Sequence, residues 1–310
     1  MSPDSGGDGT VSVVVTTHYR NDRLRAALRS VLDQEYRPIE VVVVDGSEED
    51  HARPVVEEFE GVTYLCPDRD EGPQAARSLG AERATGEYVQ LLDDDDRLAP
   101  DKIRKQVPLL DPPVGVVYCG MVDENRGVIS PGPEVRGDVL EAALEMRTFP
   151  CITSTMLIDA DVLARILPLE HRHGADDTGT KVELALLTEF DFVDEPLVHR
   201  GCPGSSLSES WDYIEGRKAV VEHFSEVYDA FPPRVRRRAV RETHYLAAKK
   251  SLEDRPWSMA AIREAARAAY HTPDQRGRYA GILLGSLLGR PGMRATESIL
   301  SRSAHLELLR

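Results

Sequence analysis

Lysine is scarce in this chain of 310 residues: of its 38 basic residues, only those at 102, 105, 181, 218, 249 and 250 are lysines. Acids outnumber bases by 53 to 38, for a formal net charge of −15. That balance argues against general nucleic-acid binding, which draws on a basic surface, so no nucleic-acid partner is expected. An acid-rich, lysine-poor composition suits a protein kept soluble in high salt and suggests a halophilic archaeon. A genome biased toward arginine codons accounts for the same counts. Paired cysteines are missing as well. Cys66, Cys119, Cys151 and Cys202 stand alone, which excludes a zinc or dithiol site of ordinary spacing, and each reads as a small buried apolar residue. Long hydrophobic runs are also absent. The longest, Tyr279 to Gly289, falls well short of the ~20 residues that span a bilayer. Met1 to Gly9 is polar and acidic, unlike a signal peptide, and reads as a disordered lead. These absences predict a cytoplasmic protein, with peripheral contact at the cytoplasmic face of the membrane left open.

What is present is an ordinary globular composition, 41% hydrophobic and 29% charged, with length for one large or two modest domains. Charge is unevenly spread. Residues 232–310 hold 16 Lys/Arg and 7 Asp/Glu, a net of +9, which leaves a net of −24 on residues 1–231. Such asymmetry suggests either a surface partner for the basic part or pairing with the acids of the same chain.

The first hundred residues alternate between strand and helix. Val11 to Val15 is a β-branched run ending at Thr16-Thr17, read as a buried strand. Asn21 or Asp22 caps a helix with Leu24, Leu28, Val31 and Leu32 on one face. Ile39 to Val44 is a second strand, ending at Asp45-Gly46-Ser47. Val55, Val56 and Phe59 suggest a short helix, and Val62 to Cys66 a third strand. Gly72-Pro73 opens a helix running to about Ala84. The strand at 87–92 runs into Asp93-Asp94-Asp95-Asp96. Four adjacent carboxylates repel one another and need a cation or open water; a hard divalent ion is one answer. This order implies right-handed crossovers and a mainly parallel sheet. In such sheets ligands bind beyond the carboxyl ends of the strands, where Thr17-His18, Asp45 and the acidic run all fall. No Gly-x-Gly-x-x-Gly follows the first strand and no Walker-type Lys-Ser/Thr is present, so dinucleotide and NTPase readings lose support.

The second hundred is less regular. Strands are expected at Val114 to Gly120, Ile152 to Ile158 and Phe190 to Val193. Helices are expected at Asp138 to Met146, Asp161 to Leu167 and Val182 to Leu187. His171 to Thr180 reads as a polar loop. From Glu209 the pattern is helical, broken at Pro232-Pro233, Pro256, Pro273 and Pro291.

Together these segments resemble the family 2 glycosyltransferases of GT-A fold over about residues 10–210. The residues that carry the likeness are the opening Val-Ser-Val-Val-Val-Thr-Thr-His-Tyr-Arg, Val43-Val44-Asp45-Gly46-Ser47, Gly72 to Gly80, and Ala84 to Val89 followed by Leu92 to Asp101. The resemblance implies an α/β GT-A domain, Rossmann-like with a mainly parallel sheet flanked by helices, and a helical C-terminal region over 211–310. It implies an inverting transfer of sugar from a nucleotide-sugar, UDP being favoured, to a glycan or lipid-linked glycan acceptor. Asp93 and Asp95 would be the Asp-x-Asp pair holding Mg2+ or Mn2+. Asp45 would accept from the base, with Thr17, His18, Arg77 and Asp94 also at the nucleotide. Asp177, or Asp176 beside it, would be the base that deprotonates the acceptor, with Glu183 more distant. His199 and Pro203-Gly204-Ser205 resemble the family's late His and Pro-Gly-Ser segment. After Asp177 the family usually continues Trp-Asp-Leu, where this chain has Thr178-Gly179-Thr180. Two rivals remain: a degenerate homologue that only binds a nucleotide, and a sugar-phosphate nucleotidyltransferase, which would need a Gly-rich loop with Arg and Lys after the first strand.

Overall fold

The computed structural model describes residues 9–47, 49–201, 210–272 and 274–307, with side chains to residue 300. The first eight residues and the Pro203-Gly204-Ser205 turn lie outside the described residues. The chain divides into two compact units. One takes residues up to 143, 147–171 and 176–205; the other takes 144–146, 172–175 and 206–310.

The first unit runs β1 (Val11–Thr17), α1 (Asn21–Leu32), β2 (Ile39–Asp45), α2 (Arg53–Val56), β3 (Val62–Leu65), α3 (Pro73–Arg83), β4 (Tyr88–Asp93), β5 (Arg97–Leu98) and α4 (Lys102–Gln106). It continues with β6 (Val114–Asp123), β7 (Gly127–Ile129), α5 (Leu140–Leu144, its last residue counted with the second unit), β8 (Leu157–Asp159), α6 (Ala160–Ala164), α7 (Asp176–Ala185) and β9 (Glu189–Arg200). One sheet of nine strands is ordered β3-β2-β1-β4-β8-β6-β9-β5, with β7 paired to β6. The strands β3, β2, β1 and β4 are parallel neighbours, as the strand-helix alternation predicts. Beyond β4 the sheet is mixed: β8 lies antiparallel between β4 and β6, while β9 runs parallel to β6.

β1 is covered on both faces, so Val11, Val13, Val14 and Val15 are all buried without alternation. α1 covers one face with Leu24, Ala27, Leu28 and Val31 at i, i+3, i+4 and i+7. It starts at Asn21 with Arg20 at the cap position, and Asp22 falls in the first turn, where a carboxylate favours the helix dipole. α3 packs so closely on the other face that an added Cβ at Gly80 would lie 2.2 Å from Val14 Cγ1.

Some expectations shift. The polar loop read over His171 to Thr180 ends at 175, because α7 begins at Asp176. Its first turn is held by Thr180 Oγ1 donating to the Asp176 carbonyl and by the Asp177–Lys181 pair at i, i+4. The short strand read at Phe190 to Val193 extends to Arg200 through Pro196, which the ladder accommodates with register shifts around Cys119 and Gly120. Ile152 to Ile158 is a 3-10 turn at Thr153–Thr155 followed by the short β8. Cys119 and Cys151 are buried as expected, and burial pushes their thiols up to about 11 and about 12.

The second unit is helical: α8 (Trp211–His223), α9 (Ser225–Asp229), α10 (Pro233–Asp254), α11 (Met259–Tyr270), α12 (Arg276–Leu287) and α13 (Gly289–Glu307). Its core joins Tyr245, Ala248 and Leu252 to Ala261, Ala265, Ala268, Tyr279, Ile282 and Met293. Pro291 does not break the last helix; it sits in the first turn of α13, where its missing N–H removes no helical bond. No helix among the described residues is long and apolar enough to cross a membrane.

Candidate active site

Register decides what meets at the carboxyl edge of the sheet. Thr17 on β1 stands opposite Asp45 on β2, and Thr16 opposite Asp93 on β4. The three strand ends named from sequence are therefore neighbours, and the acidic run opens directly onto them.

Each carboxylate in the run has its own surroundings. Asp93 is the most open, and its Oδ1 takes the guanidinium of Arg77 at 2.6 Å. Asp94 points inward, accepting from Thr17 Oγ1 at 2.8 Å and from Arg20 at 3.2 Å. Asp95 lies 3.4 Å from both Arg20 and Arg23. Asp96 is buried and accepts from the Gly201 amide at 3.1 Å. One oxygen each from Asp93, Asp95 and Asp96 lies within 4.8 Å of the others. Burial, then the neighbouring carboxylates, raises Asp95 above the ordinary range and Asp96 to about 8. Three hard carboxylate oxygen donors this close together fit Mg2+ or Mn2+. The sequence reading chose Asp93 and Asp95; Asp96 joins them because β4 ends at Asp93 and the following turn returns its side chain. Without an ion, Arg20 and Arg23 supply the countercharge that the run requires.

Asp94 and Thr17, both expected at the nucleotide, bond to each other and tie the run to β1. Asp45, expected to accept from the base, is fully buried. Its Oδ1 accepts from the Ser47 amide at 2.9 Å and the Ser47 hydroxyl at 2.5 Å. Its Oδ2 accepts from the Ala52 amide and the Tyr64 hydroxyl, both at 2.7 Å. Four donors use its lone pairs, so no site is left for a base N–H in this arrangement, and Asp45 anchors the loop that follows β2. His18 does stand at the mouth, half exposed, 3.4 Å from Asp70. Its ring meets Tyr19 edge-on at 4.7 Å, and Tyr19 in turn meets His51 at 4.9 Å.

Arg77 connects the acids on either side of the crevice. Burial works against its cation, but Asp93, then Asp176 and Asp177, raise its pKa further. Gln74, one turn earlier on α3, accepts from Arg77 at 2.6 Å and reaches Thr180 on α7 at 3.4 Å. The expected base pair Asp176 and Asp177 thereby joins the acidic run in one charge network. Asp176 is buried, 3.3 Å from His171. Asp177 is more open, and its Oδ2 lies 3.1 Å from Lys181, which also donates to the Cys151 carbonyl at 2.8 Å. Burial alone would lift the Asp177 carboxyl, but Lys181 and Arg77 hold it below the usual range. Glu183 lies two turns into α7, away from that first turn. His199 on β9 pairs with Arg97, immediately after the run. Gly201 follows, and an added Cβ there would lie 2.2 Å from the Asp95 carbonyl.

Sequence reasoning did not single out Arg20, Arg23, Lys181 or Ser154. Lys181 had a signal, its i, i+4 spacing from Asp177. Ser154 had none: its hydroxyl reaches the Asp93 amide at 3.3 Å across a separation of 61 residues.

A parallel β3-β2-β1-β4 half-sheet ending in an acidic run, with a mixed second half that carries an acid pair on a helix, is a GT-A arrangement. Residues 12–155 match the model of glycosyl transferase family 2. A glucosyl-dolichyl phosphate glucuronosyltransferase of Haloferax volcanii is 41% identical over 103 residues, 31% of this chain and 33% of its own. The succinoglycan biosynthesis protein ExoO of Rhizobium meliloti is 30% identical over 167 residues, 53% of this chain and 45% of its own. The matched region spans about half or less of the length of these curated relatives. Among solved structures, S. aureus TarS 1-349 with UDP-GlcNAc superposes with a TM-score of 0.65 at 16% identity, covering 95% of this chain and 92% of that one. The mannosyltransferase PcManGT of Pyrobaculum calidifontis, with GDP-Man and Mn2+, gives 0.60 at 22%, covering 96% and 85%. These structures share the fold.

Proposed function

We propose that this chain is a metal-dependent, inverting glycosyltransferase that moves a sugar from a nucleotide-sugar, UDP-linked in our reading, to an acceptor hydroxyl. The observation that carries the proposal is the convergence of Asp93, Asp95 and Asp96 with Asp177 around Arg77 at the carboxyl edge of the sheet. Structural neighbours in complex with UDP-GlcNAc and with GDP-Man, and the glucosyl-dolichyl phosphate glucuronosyltransferase relative, support the substrate class.

Asp93, Asp95 and Asp96 would hold Mg2+ or Mn2+, which supplies Lewis-acid stabilisation of the departing diphosphate. The loop anchored by Asp45 and the exposed rings of His18 and Tyr19 would flank the base. Asp177 takes the proton from the acceptor hydroxyl as that oxygen bonds to the anomeric carbon and the bond to the diphosphate oxygen breaks. Its lowered pKa keeps it ionised at neutral pH, and Lys181 fixes its direction. A lipid-linked acceptor fits the name of the Haloferax relative, and with such an acceptor the enzyme would work at the cytoplasmic face of the membrane.

The test is incubation of the purified protein with a panel of nucleotide-sugars and Mn2+ or Mg2+ in high salt, following slow donor hydrolysis. The expected result is release of one nucleotide diphosphate from one donor, abolished by EDTA. Hydrolysis that persists undiminished in EDTA would remove the metal from the mechanism. Nucleotide binding with no turnover on any donor or acceptor would favour the non-catalytic homologue.

A further inference from the structure

The second unit leaves five large apolar side chains in water at one place. Leu284, Leu287 and Leu288 follow one another at i, i+3 and i+4 at the end of α12, with exposures of 65%, 50% and 75%. The opposite face of that helix, Tyr279, Ile282, Gly285 and Ser286, is buried in the unit's own core. Trp257 lies against the same helix end: its indole N–H donates to the Leu287 carbonyl at 3.1 Å, and the Pro256 carbonyl before it accepts from the Arg290 amide at 2.8 Å. Met259, two residues on, is also exposed. Scattered exposed hydrophobics are normal in a folded protein, but a contiguous group of this size marks a surface that something covers.

Charge identifies the occupant. Arg255 precedes Trp257, Arg263 lies one turn beyond Met259, and Arg276 and Arg278 open α12. Among the described residues none of these four has an ion-pair partner. The acids closest in sequence are already engaged: Glu253 with Lys250 at 3.3 Å, Asp254 with the Trp211 indole at 2.9 Å. Other basic residues of this unit are engaged within it. Arg238 and Arg241 are tied to Glu145 and Asp274, and Lys249 to Glu297. Free positive charge therefore accompanies the apolar patch, while at the start of α10 it remains at Arg237. A second copy of the chain would bring these arginines against their own kind, whereas anionic headgroups would neutralise them. We propose that Trp257, Met259, Leu284, Leu287 and Leu288 seat in the interface of an anionic lipid bilayer, with the four arginines among the headgroups. A helix with one packed face and one leucine face, flanked by Trp and Arg, is the arrangement that lies in that interface without crossing it.

The test is flotation of the full chain with vesicles of phosphatidylcholine alone or mixed with phosphatidylglycerol, across a salt series. We expect association with the anionic vesicles at low salt that weakens as salt screens the arginines. Leu287→Glu with Leu288→Glu should abolish it. Arg276→Gln and Arg278→Gln should each weaken it about five-fold, the equivalent of ~1 kcal/mol per charge. In a Trp211→Phe background, brominated lipid should quench the emission of Trp257. UDP affinity should be the same in every variant, so loss of vesicle binding is separable from failure of the donor site. Three results would overturn the proposal: no association at any salt by the folded protein, equal association with neutral vesicles, or a stable dimer in solution that the Leu287→Glu, Leu288→Glu variant dissolves.

Discussion

Replacing Asp45 with alanine removes one acceptor shared by four donors. Two of these are main-chain amides, Ser47 and Ala52, both nearly inaccessible to water, and the others are the hydroxyls of Ser47 and Tyr64. A hydroxyl can turn toward another acceptor, but a buried amide cannot. Each amide left unsatisfied costs ~1–3 kcal/mol, so the two together should cost about 3–4 kcal/mol. At ~2–4 °C per kcal/mol for a domain of this size, the melting temperature should fall by about 10 °C. Thermal unfolding followed by circular dichroism reads this directly, with UDP calorimetry on the same samples below the transition. Asp45→Asn should lie between, since it keeps one acceptor and turns an amide toward two donors. The reasoning is refuted if Asp45→Ala melts with wild type. If that stable variant also loses ~1.5–3 kcal/mol of UDP affinity, Asp45 contacts the base, the role that the family resemblance implies.

Asp95→Ala and Asp96→Ala should each abolish transfer and weaken Mn2+ binding at least ten-fold in calorimetry without unfolding the protein; retention of wild-type Mn2+ affinity would remove that residue from the metal set. Asp96 is raised to about 8 by burial and then by Asp93, against ~3.9 unfolded. Its contribution to stability is thus complete below pH ~3.9 and is lost as pH rises through about 8. The metal-free protein should melt lower at pH 8.5 than at pH 5.5, Asp96→Asn should flatten that slope, and a slope unchanged in Asp96→Asn would show that another group sets it. Asp177→Asn should keep UDP and Mn2+ binding while turnover falls ~100-fold or more; normal turnover there, with Asp176→Asn inactive, would move the base by one residue. Gly80→Ala drives a methyl into Val14 and Val44 at the centre of the sheet and should cost ~1–3 kcal/mol in urea unfolding; an unchanged midpoint would mean that α3 can withdraw from the sheet.

The order of the elements up to the acidic run is legible in the sequence because β1 and β2 are largely β-branched runs, β4 is a short mainly apolar run, and α1 carries one apolar face. The parallel pairing of β3, β2, β1 and β4 follows from that order, since helical crossovers leave little else to build. The acidic run also declares a need for countercharge on its own. Past residue 93 local pattern is less complete, although β6 and the helices after Glu209 still show in it. β5 and β7 are too short to show a period, and β9 passes through Pro196, which local rules read as a stop. What each polar side chain does is decided by tertiary structure, because partners come from distant parts of the chain. Asp45 looks like an open ligand until Tyr64 and Ala52 close on it, and Asp94 until Thr17 reaches it from 77 residues away. Composition alone places a net of +9 on residues 232–310. Only the folded helices decide which of those charges are spent on Glu145 and Asp274 and which stay beside Trp257 and the leucines of α12, because an ion pair depends on proximity in space and a composition records none.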